Sequence, residues 1–330
     1  MADELVITNG DAAAERLVKS GYAKRVLAWR DILHEGPVPL VADLAALSAI
    51  RAEFVQERGW TAGHDMPKVL GARDATLARH GEFERISLWF EHDLYDQLQL
   101  LQILDYFAAQ PALPKPLLLM QSDTYIAGAD APPIARLIER LAPVGADKLA
   151  LAQRAWAAFR QTTPQAWAGL LQTDLAALPH LESAVLRSLE ELPAPASGLS
   201  RSEQQMLRLV SEGVRKPKRL FAAYSETEPA RFMGDWSFFS ILDRLAGCAA
   251  PLVAGLNNGP FRPGKPAKDL YFDSELKLTP TGLAVLAGQQ DHVALNGIDH
   301  WLGGSHITPA GVWRWSRQDR RLLGPGGPPP

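Results

Sequence analysis

The sequence predicts an α/β protein with three parts: a Rossmann-like domain on a mostly parallel sheet, a helical connector, and a C-terminal winged-helix-like domain. Three observations predict it. Residues 5–130 alternate short apolar runs with stretches of helical periodicity, the order of parallel α/β units. Residues 133–192 show helical spacing and call for no strand. Beyond Ser200, three helical stretches precede two short β-type runs that flank a Gly/Pro/Lys-rich segment, which is the order of a winged helix.

The elements follow in order. Residues 5–8 read as the first strand, Asn9-Gly10 as a turn, and Asp11 as the cap of a helix over 12–19 that closes at Gly21. Residues 25–29 are the second strand. Gly36-Pro37-Val38-Pro39 breaks the chain, and Leu44, Leu47, Ile50 and Phe54 at three- and four-residue spacing give a helix over 42–58. A further helix is expected over 74–80. Residues 85–90 form a strand buried on both faces, 94–107 the helix with the broadest apolar face, and 116–120 the next strand.

Residues 193–198 have the proline-rich composition of a linker and mark the expected main boundary. That places the α/β domain at 1–145, the connector at 146–192, the winged-helix-like domain at 199–290 and an irregular extension at 291–330, with a disordered tail over the last seven residues. Ser200 and Glu203 have capping-box spacing ahead of a helix carrying Met206, Leu207 and Val210. Helices over 218–224 and 229–247, strands at 251–256 and 276–278, and a helix over 281–287 complete the reading. Gly303 and Gly304, in the segment 296–304, point to a close backbone approach.

Composition bounds the function. Of 330 residues, 47% are hydrophobic and 22% charged, which supports real cores rather than disorder. The single cysteine, Cys248, excludes an internal disulfide and a cysteine-based zinc centre and fits a reducing cytoplasm. No apolar run reaches the ~18 residues of a membrane span, and Met1 to Glu4 lack the basic lead of an export signal. A cytoplasmic location without membrane contact is therefore expected. A net charge of -3 argues against bulk coating of nucleic acid.

Polar residues cluster just after the strands: Asn9-Gly10-Asp11, Arg30-Asp31, Glu91-His92-Asp93 and Gln121-Ser122-Asp123. In a parallel sheet all carboxyl ends lie on one edge, where ligands bind, so these clusters are expected to converge. Convergence gathers Asp11, Asp31, Glu91, Asp93 and Asp123 with Arg30, His34 and His92, a set suited to a divalent cation such as Mg2+ or to acid and base work. Asp31, Glu91, Asp93 and His34 are the candidate catalytic residues, and the first three also the candidate metal ligands. Asn9, Gly10, Asp11, Arg30, Glu35, Asp96 and Gln97 are candidate ligand-binding residues. Each has a plainer reading: Asp11 and Asp93 stand where N-caps stand, Asp93 with Asp96 has capping-box-like spacing, and Arg30 can pair with Asp31 or Glu35. The coincidence of four rims is a stronger signal than any one of them. No phosphate loop, dinucleotide fingerprint, nucleophile elbow or zinc-helix motif is present, which gives no support to the standard nucleotide hydrolases, dehydrogenases, esterases and zincins.

Three motifs in this order, Asn9-Gly10-Asp11, Trp29-Arg30-Asp31-x-Leu33-x-Glu35-Gly36-Pro37, and Leu88-Trp89-Phe90-Glu91-x-Asp93-x-x-Asp96-Gln97-Leu98, resemble the bacterial domain-of-unknown-function family numbered eighteen thirty-five. The resemblance covers roughly the first 125 residues. It implies a bacterial protein with a shared polar site at Asn9, Asp11, Arg30, Asp31, Glu35, Glu91, Asp93, Asp96 and Gln97, and it implies no established activity.

The C-terminal half carries Arg215, Lys216, Lys218 and Arg219 as a basic run, with Lys265 and Lys268 in the expected wing. Such cations can neutralise backbone phosphates. The expected recognition helix is poor in them, setting Arg231 and Arg244 against Asp235 and Asp243. The leading expectation is a domain that binds a small polar or phosphorylated ligand at its strand ends, with metal-assisted chemistry. A ligand-responsive transcriptional regulator that binds DNA and a non-catalytic protein-interaction scaffold are the alternatives.

Overall fold

A computed structural model describes residues 3–61, 63–111, 116–262 and 267–326. Lys265 and the last four residues of the expected disordered tail lie outside the described residues. The chain divides into two compact units, Met1–Leu186 with Trp301–Ser305, and Arg187–His300 with His306–Pro330.

The first unit is an α/β fold. Its elements are β1 (Glu4–Thr8), α1 (Asp11–Lys19), β2 (Arg25–Ala28), α2 (Leu44–Glu57), α3 (Met66–Ala78), β3 (Arg85–Phe90), α4 (Leu94–Ala108), β4 (Leu117–Gln121), α5 (Ile134–Ile138), β5 (Ala142–Pro143), α6 (Ala146–Phe159), α7 (Gln165–Gly169) and α8 (Leu181–Leu189), whose last turn passes the division. The sheet order is β2-β1-β3-β4-β5. The first four strands are parallel, with Thr8 opposite both Ala28 and Trp89 and Phe90 opposite Gln121, so their carboxyl ends share one edge. Val6, Ile7, Ile86, Leu88, Trp89 and Phe90 are wholly buried, which is why these strands read as near-continuous apolar runs.

Helix α4 is buried almost throughout, polar residues included. Gln99 donates from Nε2 to the Asp31 carbonyl at 2.8 Å, and Gln102 accepts from the Trp29 indole at 2.8 Å, which ties α4 to the end of β2. Helix α6 packs on α4, so part of the expected connector belongs to the layer over the sheet.

Several boundaries differ from expectation for identifiable reasons. Helix α1 starts at Asp11 with Gly10 as its N-cap, because the Asp11 carboxylate is engaged by Arg30 instead of capping. Helix α3 starts well before residue 74: Asp65 accepts from the Lys68 amide and Pro67 sits in the first turn, both sound start signals. Strand β5, where no strand was expected, pairs antiparallel with β4. Gly36, at φ 70, turns the chain after β2, and a Cβ there would lie 2.5 Å from the Phe54 ring. The glycine pair does make a close approach: the Gly303 carbonyl accepts from the Val38 amide at 2.8 Å and the Gly304 amide donates to the Phe159 carbonyl at 3.0 Å. A Cβ on either glycine would fall 2.1 Å from a carbonyl oxygen at the end of α6.

The second unit opens with α9 (Arg201–Ser211), started by the full Ser200–Glu203 capping box. Helices α10 (Pro217–Thr227) and α11 (Asp235–Gly247) follow, then strand β6 (Val253–Ala254), helix α12 (Ala267–Phe272), strand β7 (Lys277–Leu278) and helices α13 (Pro280–Leu286) and α14 (His292–Asn296). β6 and β7 pair antiparallel. Met206, Leu207, Leu220, Tyr224, Phe238, Phe239 and Leu242 form the core. Helix α11 begins later than residue 229 because Gly234 is its cap, and α12 was not expected.

Short hairpins β8 (His300–Leu302) with β9 (Ser305–Ile307), and β10 (Arg314–Ser316) with β11 (Arg321–Leu323), occupy the stretch read as irregular. Residues 193–198 are well bonded: Ala194 donates to the Leu199 carbonyl, the Pro193 carbonyl accepts from Trp315, and the Ser197 carbonyl accepts from His292. Among the described residues no helix is long and apolar enough to cross a membrane.

Candidate functional site

At the carboxyl edge of the sheet, three acidic side chains meet. Glu91 follows the last residue of β3, Asp93 is the N-cap of α4, and Asp96 lies in that helix's first turn. Each offers one carboxylate oxygen, and the three oxygens lie within 4.8 Å of one another; all three residues are buried.

Local backbone chemistry fixes the cluster. Asp93 caps α4 by accepting from the Asp96 amide through Oδ1 at 3.1 Å. Asp96 reaches back through Oδ1 to the Glu91 amide at 2.5 Å, and its Oδ2 accepts from Asn9 Nδ2 at 2.8 Å. Glu91 accepts from the Ile126 amide at 2.5 Å, and its own carbonyl accepts from Gln97 Nε2 at 2.6 Å. Segments following β1, β3 and β4 thus each contribute a group, as expected where parallel strands end together.

Burial is the largest influence on all three acids. It raises Glu91 to about 7 and Asp93 to about 8, and holds Asp96 well above the ordinary carboxylate range. The neighbouring carboxylates push Asp93 and Asp96 further up, while the hydrogen bonds from backbone amides and Asn9 partly offset the shift. Carboxyl groups arranged this way must hold protons or a cation. Tyr95 closes one side: its hydroxyl donates to the Asn9 carbonyl at 3.3 Å, and burial, then Asp96, Asp31 and Asp93, raise its pKa.

The remaining candidates are placed as follows. Asp31 is not in the cluster. Its side chain is fully buried between Arg51, at 2.9 Å, and Arg73, at 3.7 Å, with Arg73 stacked over Trp29. Asp11 and Arg30 form an exposed two-point pair, with Nε at 2.9 Å and Nη2 at 2.5 Å from Oδ1. His34 stands edge-on to Tyr95 at 6.0 Å between centroids. The Glu35 carbonyl accepts from Arg51. Gly10 caps α1 beside Asn9.

On the same edge the His92 ring lies 5.3 Å from Tyr125 and 6.0 Å from His180. Burial lowers the pKa of both histidines, against the pull of Asp123. Asp123 is exposed and paired with Arg140 at 2.7 Å.

Of the basic residues in the second unit, Lys216 bridges to Glu275 at 2.9 Å and donates to the Asp273 carbonyl, and Lys268 lies over the Phe272 ring. Arg215, Lys218 and Arg219 are exposed.

Tyr95, Ile126 and His180 were absent from the sequence-based set, and Asp96 stood only among the ligand-binding residues. The three-residue spacing of Asp93 and Asp96 at a helix start carries the signal for Asp96. The Ile126 amide and His180 have no local signal, because loop geometry and a distant segment bring them in.

No protein-family model matches the chain, and no curated protein matches it.

Proposed function

We propose that the first unit is a Rossmann-like domain that binds a small polar or phosphorylated ligand at its strand ends, with a divalent cation such as Mg2+ held by Glu91, Asp93 and Asp96. The observation that carries this reading is the meeting of three buried carboxylates whose oxygens lie within 4.8 Å of one another. Three hard oxygen donors suit Mg2+, Mn2+ or Ca2+ better than softer metals. A ligand carrying phosphate would complete the coordination of such an ion, which keeps open positions when held by few protein oxygens. Asn9 orients the Asp96 carboxylate, Gln97 holds the main chain of Glu91, and Tyr95 supplies a hydroxyl bonded to the Asn9 carbonyl.

Calorimetric titration of the full chain with Mg2+, and loss of the free Mn2+ resonance signal on titration with Mn2+, test the site. Saturable binding that is abolished by Glu91→Gln with Asp96→Asn is expected. Absence of binding by the unaltered protein at millimolar ion would sink the reading.

For the second unit, three helices followed by an antiparallel pair of strands, with α12 between them in sequence, support a winged-helix-like reading. The exposed Arg215, Lys218 and Arg219 are what favours DNA as its partner, while Lys216 is committed to Glu275. A fluorescence anisotropy titration with duplex DNA over a salt series decides: binding that weakens steeply with salt supports it, and no binding at low salt ends it.

A further inference from the structure

We propose that the second unit holds duplex DNA by its phosphate backbone alone, through Arg215, Lys218, Arg219 and Lys277, and that α11 reads no bases. The inference rests on the DNA reading of this unit given above and changes its meaning, to contact that follows the duplex and is indifferent to its sequence.

The surroundings of α11 carry the first half. In a helix-turn-helix pair the first helix crosses the backbone, and the second enters the major groove with side chains that reach base edges. Here α10 and α11 stand in those places, but the outward face of α11 is covered. The Phe261 ring lies 4.5 Å from that of Phe239 and 5.8 Å from that of Trp236 between centroids. The Phe261 amide donates to Asp243 Oδ2 at 2.8 Å, and Phe272 of α12 lies 5.4 Å from Phe239. Positions 236, 239 and 243 share a helix face by their three- and four-residue spacing, so Phe261 and α12 occupy the side a duplex would need. Phe238, Ile241, Leu242 and Leu245 are buried in the core. What α11 exposes is Asp235, Arg244 and Gly247. Asp235 at the helix start opposes phosphate, and Arg244 is engaged by Glu203 at 3.0 Å.

The exposed cations lie beside α10 instead. Arg215, Lys218 and Arg219 surround its first turn. The Leu276 amide donates to the Arg215 carbonyl at 2.8 Å, which lays β7 against the start of α10. Leu276 is buried, so the next residue along the strand, Lys277, turns outward and is exposed. Of the neighbouring acids, Glu275 is paired with Lys216 at 2.9 Å and Glu212 faces Arg208 at 4.0 Å. Four cations then stand against Asp273. Cations with no base-reading groups beside them supply the sequence-independent part of DNA binding.

Fluorescence anisotropy of the full chain with two duplexes of equal length and unrelated sequence, each over a salt series, tests this. Equal affinities are expected, and four neutralised phosphates should give a slope of log affinity against log salt of about −3.6. Lys218→Ala with Arg219→Ala should weaken both duplexes alike, by about tenfold or more, and flatten the slope by about 2. Lys277→Ala, on a separate element, should flatten it by about 1. Asp235→Ala should leave both affinities unchanged. Binding indifferent to the cation variants, or a tenfold preference for one duplex that Asp235→Ala alters, overturns the inference and leaves the DNA reading standing. Tighter binding of single-stranded RNA than of duplex DNA also overturns it. No binding at low salt ends both.

Discussion

Asn9 donates from its side-chain amide to the Asp96 carboxylate at 2.8 Å, joining the end of the first strand to the first turn of α4 across 87 residues of chain. The bond satisfies an oxygen of a buried acid with a neutral donor, so it orients Asp96 without supplying a positive charge. Asn9→Ala removes the donor and leaves that oxygen buried and unpaired. The expected cost is about 1–3 kcal/mol in urea unfolding, larger at pH 8 than at pH 5.5, because a protonated carboxyl can donate elsewhere. An equal cost at both pH values would mean that Asp96 does not change its charge over this range.

The acidic cluster makes stability depend on pH in a definite direction. Glu91 and Asp93 are raised to about 7 and about 8, and Asp96 is raised as well, with burial the main cause in each case. In the unfolded chain these groups titrate near pH 4. Between the two ranges the folded state therefore binds more protons than the unfolded state, so stability falls as pH rises. The contribution is complete below about pH 4 and lost on passing through pH 7 to 8. Without added metal, the unfolding free energy from urea titration should be lower at pH 8.5 than at pH 5.5, by about a few kcal/mol. Millimolar Mg2+ should restore the loss at pH 8.5, since an ion bound only by the folded state stabilises it. A midpoint that rises steadily with pH would contradict this assignment.

Asp93→Asn separates structural from binding roles within the cluster. Asparagine is as good an N-cap as aspartate and can still accept from the Asp96 amide. The helix start is kept while one of three mutually repelling acids becomes neutral. At pH 8 the metal-free variant should be more stable than the parent by about 1–2 kcal/mol. Its stability should also vary less with pH, and Mg2+ should no longer raise its melting temperature. A variant destabilised at pH 8 would show that the Asp93 charge is required by the fold.

The fold of the first unit was legible because its strands are buried on both faces and its helices alternate with them. Phe90 to Leu94 shows the limit at the site. The sequence places Glu91 and Asp93 at a strand end, and parallel topology brings that end beside Asn9. Nothing local indicates that Asp31, also at a strand end, turns toward Arg51 and Arg73, since both arginines lie on helices whose burial depends on packing. Two buried arginines are a choice that composition does not disclose. Helix α3 was under-read for another reason: Asp65 and Pro67 announce its start, but the residues between 66 and 74 lack a clear apolar stripe. The Ile126 amide and His180 reach their neighbours through loops, where side-chain periodicity carries no information.

Asp31 and Asp96 are both buried acids at the same sheet edge, and their surroundings predict opposite behaviour. The Asp31 side chain is 1% exposed and bonds Arg51 at 2.9 Å, while Arg51 also donates to the carbonyls of Ile32, Glu35 and Pro37. Asp31 thereby balances charge in the network that shapes the turn after β2. Asp31→Ala removes the carboxylate that balances the buried Arg51, while Arg73 keeps Asp74 at 2.8 Å, and should cost about 3–5 kcal/mol, the range for removing one partner of a buried pair. Asp31→Asn keeps one acceptor for Arg51 and should cost less. In the folded fraction of Asp31→Asn, Mg2+ affinity should match that of the parent, because Asp31 lies outside the cluster. A Mg2+ affinity reduced tenfold with secondary structure intact would place Asp31 back among the metal-binding residues.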